Sequence, residues 1–182
     1  MKVTFELGAK DIRYFRERLK EARENAKSQD EATVIAGAEA VAKEALAAEP
    51  PEFVVERIAT LEKLVAMLRD AEWRLEGRDR NRILDALAYF AEAEDIIPDR
   101  IPGLGYIDDA IMIELVAREL KHEIDAYQDF CEYRKGRPKA EGVDRLETRR
   151  HALQTRMRRR RRRDRSQRRS AVSSKPSGLG LW

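Results

Sequence analysis

One cysteine, Cys131, stands in 182 residues, so no intramolecular disulfide can form and the expected compartment is a reducing cytoplasm. Histidine is nearly as scarce, with only His122 and His151. Neither has a serine or cysteine neighbour, and Cys131 falls on a core stripe where a thiol acts as a small hydrophobe, so nucleophilic catalysis finds no support. Long apolar runs are missing too. The most apolar stretch, Leu104 to Ala117, contains Asp108, Asp109 and Glu114 and is too short to span a bilayer, so no transmembrane segment is expected. The start, Met1-Lys2-Val3-Thr4-Phe5-Glu6, begins no signal peptide because no apolar region follows it. Glycines do not form a nucleotide fingerprint: Gly103-Leu-Gly105 follows a helix, lacks a third glycine and lies among acids. No enzyme class keeps positive support.

What is present is charge, unevenly divided. From Arg137 onward there are 16 Lys and Arg against 4 Asp and Glu, while the preceding residues carry 21 and 30. An acidic body is followed by a basic extension, a split that suits a phosphate-bearing partner, an anionic surface or the body itself. At 21.1 kDa the chain is long enough for one core plus that extension.

The periodicity throughout the body is helical. Ile12, Phe15, Leu19, Ala22 and Ala26 recur at three- and four-residue steps, after an extended or strand-like start at Val3 to Leu7. A second, alanine-rich helix runs from about Asp30 to Ala47 with Val34, Ala38, Val41 and Ala45 on one stripe. Gly37 inside it costs about 1 kcal/mol relative to alanine, which implies that a neighbouring backbone approaches there. Pro50-Pro51 stops that helix and starts a third, marked by Val54, Ile58, Leu61, Val65 and Leu68 and ending near Gly77. The fourth begins near Asn81. A fifth, from about Asp109 to Tyr133, carries Ile113, Val116, Ala117, Leu120, Ile124, Tyr127 and Cys131, with Ile111 and Leu115 opposite, and is placed at the centre of the bundle.

Between the last two lies Asp95-Ile-Ile-Pro-Asp-Arg-Ile-Pro-Gly-Leu-Gly-Tyr-Ile-Asp-Asp109, whose prolines and glycines interrupt the helical pattern. Its apolar residues Ile96, Ile97, Ile101 and Leu104 predict that it folds back on the core. The run from Tyr89 through Leu120, with Asp95-Ile-Ile-Pro-Asp99, Ile101-Pro-Gly-Leu-Gly-Tyr106 and Ile107-Asp-Asp-Ala110, resembles the bacterial YkvA-like family, domain of unknown function 1232. The resemblance implies a small helical domain with no established activity. Some members look membrane-associated because the helix after Asp-Asp is apolar all round; here Glu114, Arg118, Glu119 and Lys121 interrupt it.

The expected fold is therefore an all-α compact bundle of about five helices in a domain spanning 1–136. Gly136 and Pro138 mark the boundary to a largely disordered, Arg-rich extension, 137–182. Leu146, Leu153 and Met157 allow a short exposed helix in it.

Three groups are candidate sites. Asp95, Asp99, Asp108 and Asp109 converge if the connector folds back, and would offer oxygen ligands to a divalent cation. Against this stands a simpler reading: Asp108 caps the fifth helix, Asp109 is favoured by its dipole, and Ile107 and Met112 form a hydrophobic staple. Asp109 also shares the core-facing stripe and so needs a partner, Arg82, Arg100 or Tyr106. Glu119-x-x-His122 has the spacing of carboxylate-bridged di-iron bundles but occurs once, and His122 reads as a solvated surface residue. The third group is Arg156, Arg158, Arg159, Arg160, Arg161, Arg162, Arg163, Arg165, Arg168 and Arg169. Arginine forks suit phosphate, and without aromatic residues for stacking, binding would be independent of base sequence. The expected function is a soluble, non-enzymatic interaction protein whose extension binds RNA, DNA or another polyanion. The alternatives are a divalent-cation-binding domain and peripheral association with anionic membranes, and no other cofactor is implied.

Overall fold

The computed structural model describes residues 7–26, 29–91, 105–136 and 143–173. Among these the regular structure is helical, in seven α-helices: α1 (Ala9–Asn25), α2 (Glu31–Ala47), α3 (Glu52–Arg69), α4 (Gly77–Leu87), α5 (Ile107–Glu119), α6 (Lys121–Gly136) and α7 (Val143–Ser173). A 3-10 turn, Ala88–Ala91, extends α4. The chain divides into two compact units, Met1–Leu120 and Lys121–Trp182, a division that falls between α5 and α6 and not after Gly136. The start at Val3 to Glu6 and the connector residues 92–104 lie outside the described residues, and with them the expectation that the connector folds back.

In the first unit, each helix starts where the sequence provides a stop or a cap. The Asp11 carboxylate accepts from the Gly8 N–H at 2.8 Å ahead of α1, and Asp30 accepts from the Thr33 N–H at 2.7 Å at the head of α2. Those hydrogen bonds from Thr33 hold the Asp30 carboxyl below its ordinary range. Pro51 opens α3, its carbonyl accepting from Val54 at 2.9 Å. Most of each stripe is buried: Phe15, Leu19 and Ala22 of α1; Val34, Ala38 and Ala45 of α2; Val54, Ile58, Leu61, Val65 and Leu68 of α3, with Ile12, Ala26 and Val41 half-buried. Leu64 and Met67 are buried as well, so α3 is enclosed on more than one side and packs on both α2 and α5.

Two boundaries depart from the sequence reading. The third helix ends at Arg69, before Gly77. The Asp70 carboxylate accepts from the Glu72 and Trp73 N–H groups at 2.9 and 3.0 Å, which draws the backbone out of the helix and turns fully buried Trp73 into the core. Gly77, with φ +53°, then opens α4 instead of closing α3. The single fifth helix is in fact two, interrupted at Leu120, where φ is −99° and ψ 16°. No proline or glycine marks that break.

Two arginines tie the first unit together. Arg80 of α4 pairs with Glu31 at the start of α2 and donates to the Leu68 carbonyl at the end of α3 at 2.8 Å. The Arg80 hydrogen bonds hold the Glu31 carboxyl below its ordinary range, and Glu31 raises Arg80. Arg23 of α1 donates to the Asp85 carbonyl of α4 at 3.2 Å and to Glu119 of α5 at 2.8 Å.

Gly37 is where backbones meet. A Cβ there would lie 2.6 Å from the Ala91 Cα and 2.8 Å from the Phe90 carbonyl oxygen, so the 3-10 turn packs directly on α2, as the glycine inside that helix implied.

Three outcomes follow from these surroundings. Gly37→Ala gains about 1 kcal/mol of helix propensity but must push two backbones apart, for a net loss of about 1–2 kcal/mol read as a lower thermal midpoint. Gly136→Ala, with nothing within 4 Å, leaves the midpoint unchanged or higher. Because the folded Glu31 carboxyl is lowered, its contribution is present above the ordinary glutamate range and is lost as pH falls through the lower folded value. Arg80→Met should therefore flatten the acid limb of stability against pH.

Candidate functional site

Two of the four connector aspartates fall within the described residues. Asp95 and Asp99 lie outside the described residues, whereas Asp108 and Asp109 are both buried in the first turn of α5. The cap of that helix is Tyr106, in the left-handed region at φ 65° and ψ 6°, and its carbonyl accepts from the Ala110 N–H at 3.0 Å. The helix thus starts at Ile107, earlier than the reading that made Asp108 the cap with an Ile107 and Met112 staple. The left-handed turn at Tyr106 sets that start, and both carboxylates fall where the helix dipole favours them. Asp109 faces the core as its spacing required. Arg82 is found at the other end of α5, donating to the Glu119 carbonyl at 3.4 Å. Among the described residues, no three His, Cys, Asp or Glu side chains gather closely enough to hold a metal ion. Asp79, in the first turn of α4 between Arg78 and Arg80, is a further buried acid.

The arginine group has a built setting. In the second unit α7 runs antiparallel to α6: the Arg149 guanidinium lies 5.3 Å from the Tyr133 ring centroid, Arg156 pairs with Asp129, Arg161 with Glu123 at 2.7 Å, and Asp164 with His122 at 2.7 Å. Leu146, Leu153, Gln154 and Met157 of α7 are buried, as are Ile124, Ala126, Tyr127 and Phe130 of α6. Residues 146, 150, 153, 157, 161 and 164 step by four and three, the seam of one helix laid along another. Within the extension expected to be largely disordered, Val143–Ser173 is therefore an ordered helix. Three apolar residues begin the seam and ion pairs continue it, so it does not need the apolar run whose absence suggested disorder.

The innermost pair is Glu123 with Arg161. Glu123 retains 1% of its side-chain exposure and Arg161 23%, so the guanidinium reaches inward to a carboxylate withdrawn from water. His122 was expected at the solvated surface, yet its side chain is only 19% exposed and Nε2 contacts the Asp164 carboxylate. It shares a face with Ala126 and Phe130 of α6, which are buried, so α6 is covered on the side opposite the expected stripe as well. The His122 hydrogen bond holds the Asp164 carboxyl below its ordinary range, helped by nearby Arg163 and Arg168. Glu119, its partner in the di-iron spacing, is engaged by Arg23.

The ten arginines thus separate by role. Arg156 and Arg161 are engaged by α6 acids, and Arg158 is half-buried. Arg159, Arg160, Arg162, Arg163, Arg165, Arg168 and Arg169 are exposed. Only the last set presents its donors outward, in forks that match phosphate oxygens.

Residues 82–115, from α4 to α5, match the family described as Protein of unknown function (DUF1232). A relative from Bacillus subtilis (strain 168), named an uncharacterized membrane protein YkvA, is 38% identical over 70 residues, covering 35% of this chain and 64% of the relative. The chain thus spans less than two thirds of that relative's length. No solved structure matches. Among the described residues, no helix is long and apolar enough to cross a membrane.

Arg161→Gln should strand a buried carboxylate and cost about 2–3 kcal/mol, the partner's residual exposure holding the loss toward the low side for a broken buried pair. Arg162→Gln, one residue away and exposed, should change the thermal midpoint by no more than about 0.5 kcal/mol equivalent. Equal midpoints for the two variants would contradict the inward assignment of Arg161.

Proposed function

Since residues 82–115 carry the YkvA-like DUF1232 family pattern, and that family is described as of unknown function, we propose that this chain is a non-enzymatic interaction protein that binds nucleic acid through α7. The observation behind this reading is the set of seven exposed arginines between Arg159 and Arg169 on an ordered helix. Holding them on a helix, with the flexible ends of the side chains free, lowers the entropy lost on binding relative to an unstructured tail. No Phe, Tyr or Trp lies in α7, so contacts go chiefly to the phosphates and affinity does not depend on base sequence.

A second reading is peripheral attachment to an anionic membrane. It is favoured by the name of the Bacillus subtilis relative, an uncharacterized membrane protein. A third is divalent-cation binding by Asp95, Asp99, Asp108 and Asp109, supported by the burial of the last two. It requires an ion-induced rise in melting temperature that Asp108→Asn or Asp109→Asn abolishes.

Fluorescence anisotropy of the full chain with labelled nucleic acid, at low and moderate salt, tests the principal reading. About five phosphate contacts predict a slope near −4.5 for log affinity against log salt on a duplex. Replacing Arg159, Arg162, Arg163, Arg165, Arg168 and Arg169 by Gln should remove nearly all binding. An unaltered affinity in that variant contradicts the reading, and binding to anionic vesicles without binding to nucleic acid transfers it to the membrane.

A further inference from the structure

Between α2 and α3 lies an open groove of about 530 Å³, beside the core stripes of the two helices. Ala42 and Val65 are buried at its base, while Leu46 and Ala66 are exposed along it. Val55 and Ala59, exposed as well, continue the line of Glu62 and Ala66 toward the start of α3 at steps of four and three. Apolar side chains lined up in water along a helix pair and rimmed by charge mark a surface that another chain covers.

The charges on the rims follow an order. At one end Glu39 and Arg69 pair across the groove at 2.8 Å. That pair sets the register of the antiparallel helices, so seven residues along each of them Leu46 stands opposite Glu62. Lys43 lies three residues, about 4.5 Å, from the same level. Lys43 on the α2 wall and Glu62 on the α3 wall have no ion-pair or hydrogen-bond partner among the described residues. A face with a cation on one wall and an anion at nearly the same level on the other is complementary to itself. Rotating a second copy about a two-fold axis along the groove sets its α3 over this α2 and its α2 over this α3, each residue keeping its level. Lys43 of each copy then meets Glu62 of the other, and each Glu39 and Arg69 pair lies over the same pair reversed. A two-fold axis across the groove would instead lay α2 on α2 and α3 on α3. The rims then offer Lys43 and Glu62 only Glu39 and Arg69, which already hold each other.

We propose that the α2–α3 groove is a self-association surface whose occupant is the same groove of a second copy of this chain, with Lys43 and Glu62 paired reciprocally between the copies. The product is a four-helix bundle with antiparallel neighbours, and the small side chains of Ala42 and Ala66 allow the close approach of the helices. Helices of 17 and 18 residues are about 25 Å long and a pair of them about 20 Å wide, so the contact covers about 500 Å² on each copy. The total of about 1,000 Å² is at the lower end for a specific association, so the dimer is weak and reversible. This surface is independent of α7 and of the nucleic-acid reading.

The test is analytical ultracentrifugation of the full chain over a concentration series at low salt, with no nucleic acid present. The mass should rise reversibly from 21.1 kDa toward twice that value. Lys43→Glu sets acid against acid at both contacts and Glu62→Lys sets base against base, so each variant alone should dimerise about tenfold more weakly. Mixed together, the two variants should form a heterodimer as tight as the parent dimer, and the double variant K43E/E62K should self-associate again. Ala66→Glu puts a charge on the groove wall and should abolish the dimer. All three positions are exposed, so circular dichroism of each variant should match the parent. A parent that stays at 21.1 kDa throughout overturns the proposal and leaves the groove to a different chain. A dimer that the charge reversals and Ala66→Glu leave unchanged overturns it too. So does a mixture of Lys43→Glu and Glu62→Lys that associates no better than either alone, because mixing cannot restore a contact made within one chain.

Discussion

A carboxylate withdrawn from water must meet a countercharge, and Glu123 meets Arg161. This pair decides how the second unit is built. Leu146, Leu153 and Met157 bury the first half of the α7 seam, but between Met157 and Ala171 the sequence supplies no apolar side chain that could continue it. Arg161 and then Asp164 take over at the same four- and three-residue steps, answering Glu123 and His122 on α6. The seam changes from apolar to ionic without losing register. Exposure of the remaining arginines follows from it, because a helix fixed along one line must display everything off that line.

Much of the first unit was legible from spacing alone. The stripe on α3 buries as written, Pro50-Pro51 separates α2 from α3, and the cost of Gly37 within a helix pointed to the close approach that the 3-10 turn makes. Boundaries governed by hydrogen bonds were less visible. Asp70 ends α3 by accepting two backbone amides, an action available to any aspartate and taken up by few. The break at Leu120 carries no proline or glycine, and the apolar residues on either side of it keep a common period. Ile113, Val116, Ile124 and Tyr127 therefore read as one stripe although they serve two helices in separate compact units.

The candidate site was legible in composition and illegible in form. A run of ten arginines within Arg156 to Arg169 announced affinity for anions, but its charge also suggested disorder, since hydropathy counts Arg161 and Arg162 alike. What separates them is one hundred degrees of helical rotation and an acid on another helix. The signal that was available is the phase: Arg161 and Asp164 extend the series begun by Leu146, Leu153 and Met157. Once the helix is phased by its apolar start, the inward and outward arginines can be assigned. The buried Asp108 and Asp109 belong to the segment matched by the family, which does not reach α7. The arginine helix is thus an addition to that segment, with chemistry of its own.

The central claim is that the arginine run is a packed helix with a bare end and not a free tail. Amide hydrogen exchange of the full chain without any ligand measures this directly. Slow exchange should extend along α7 through Arg161, then fall progressively past Asp164 where α6 no longer covers it. Uniform exchange at the rate of an unfolded chain from Val143 onward would contradict the claim and return the arginines to a disordered extension.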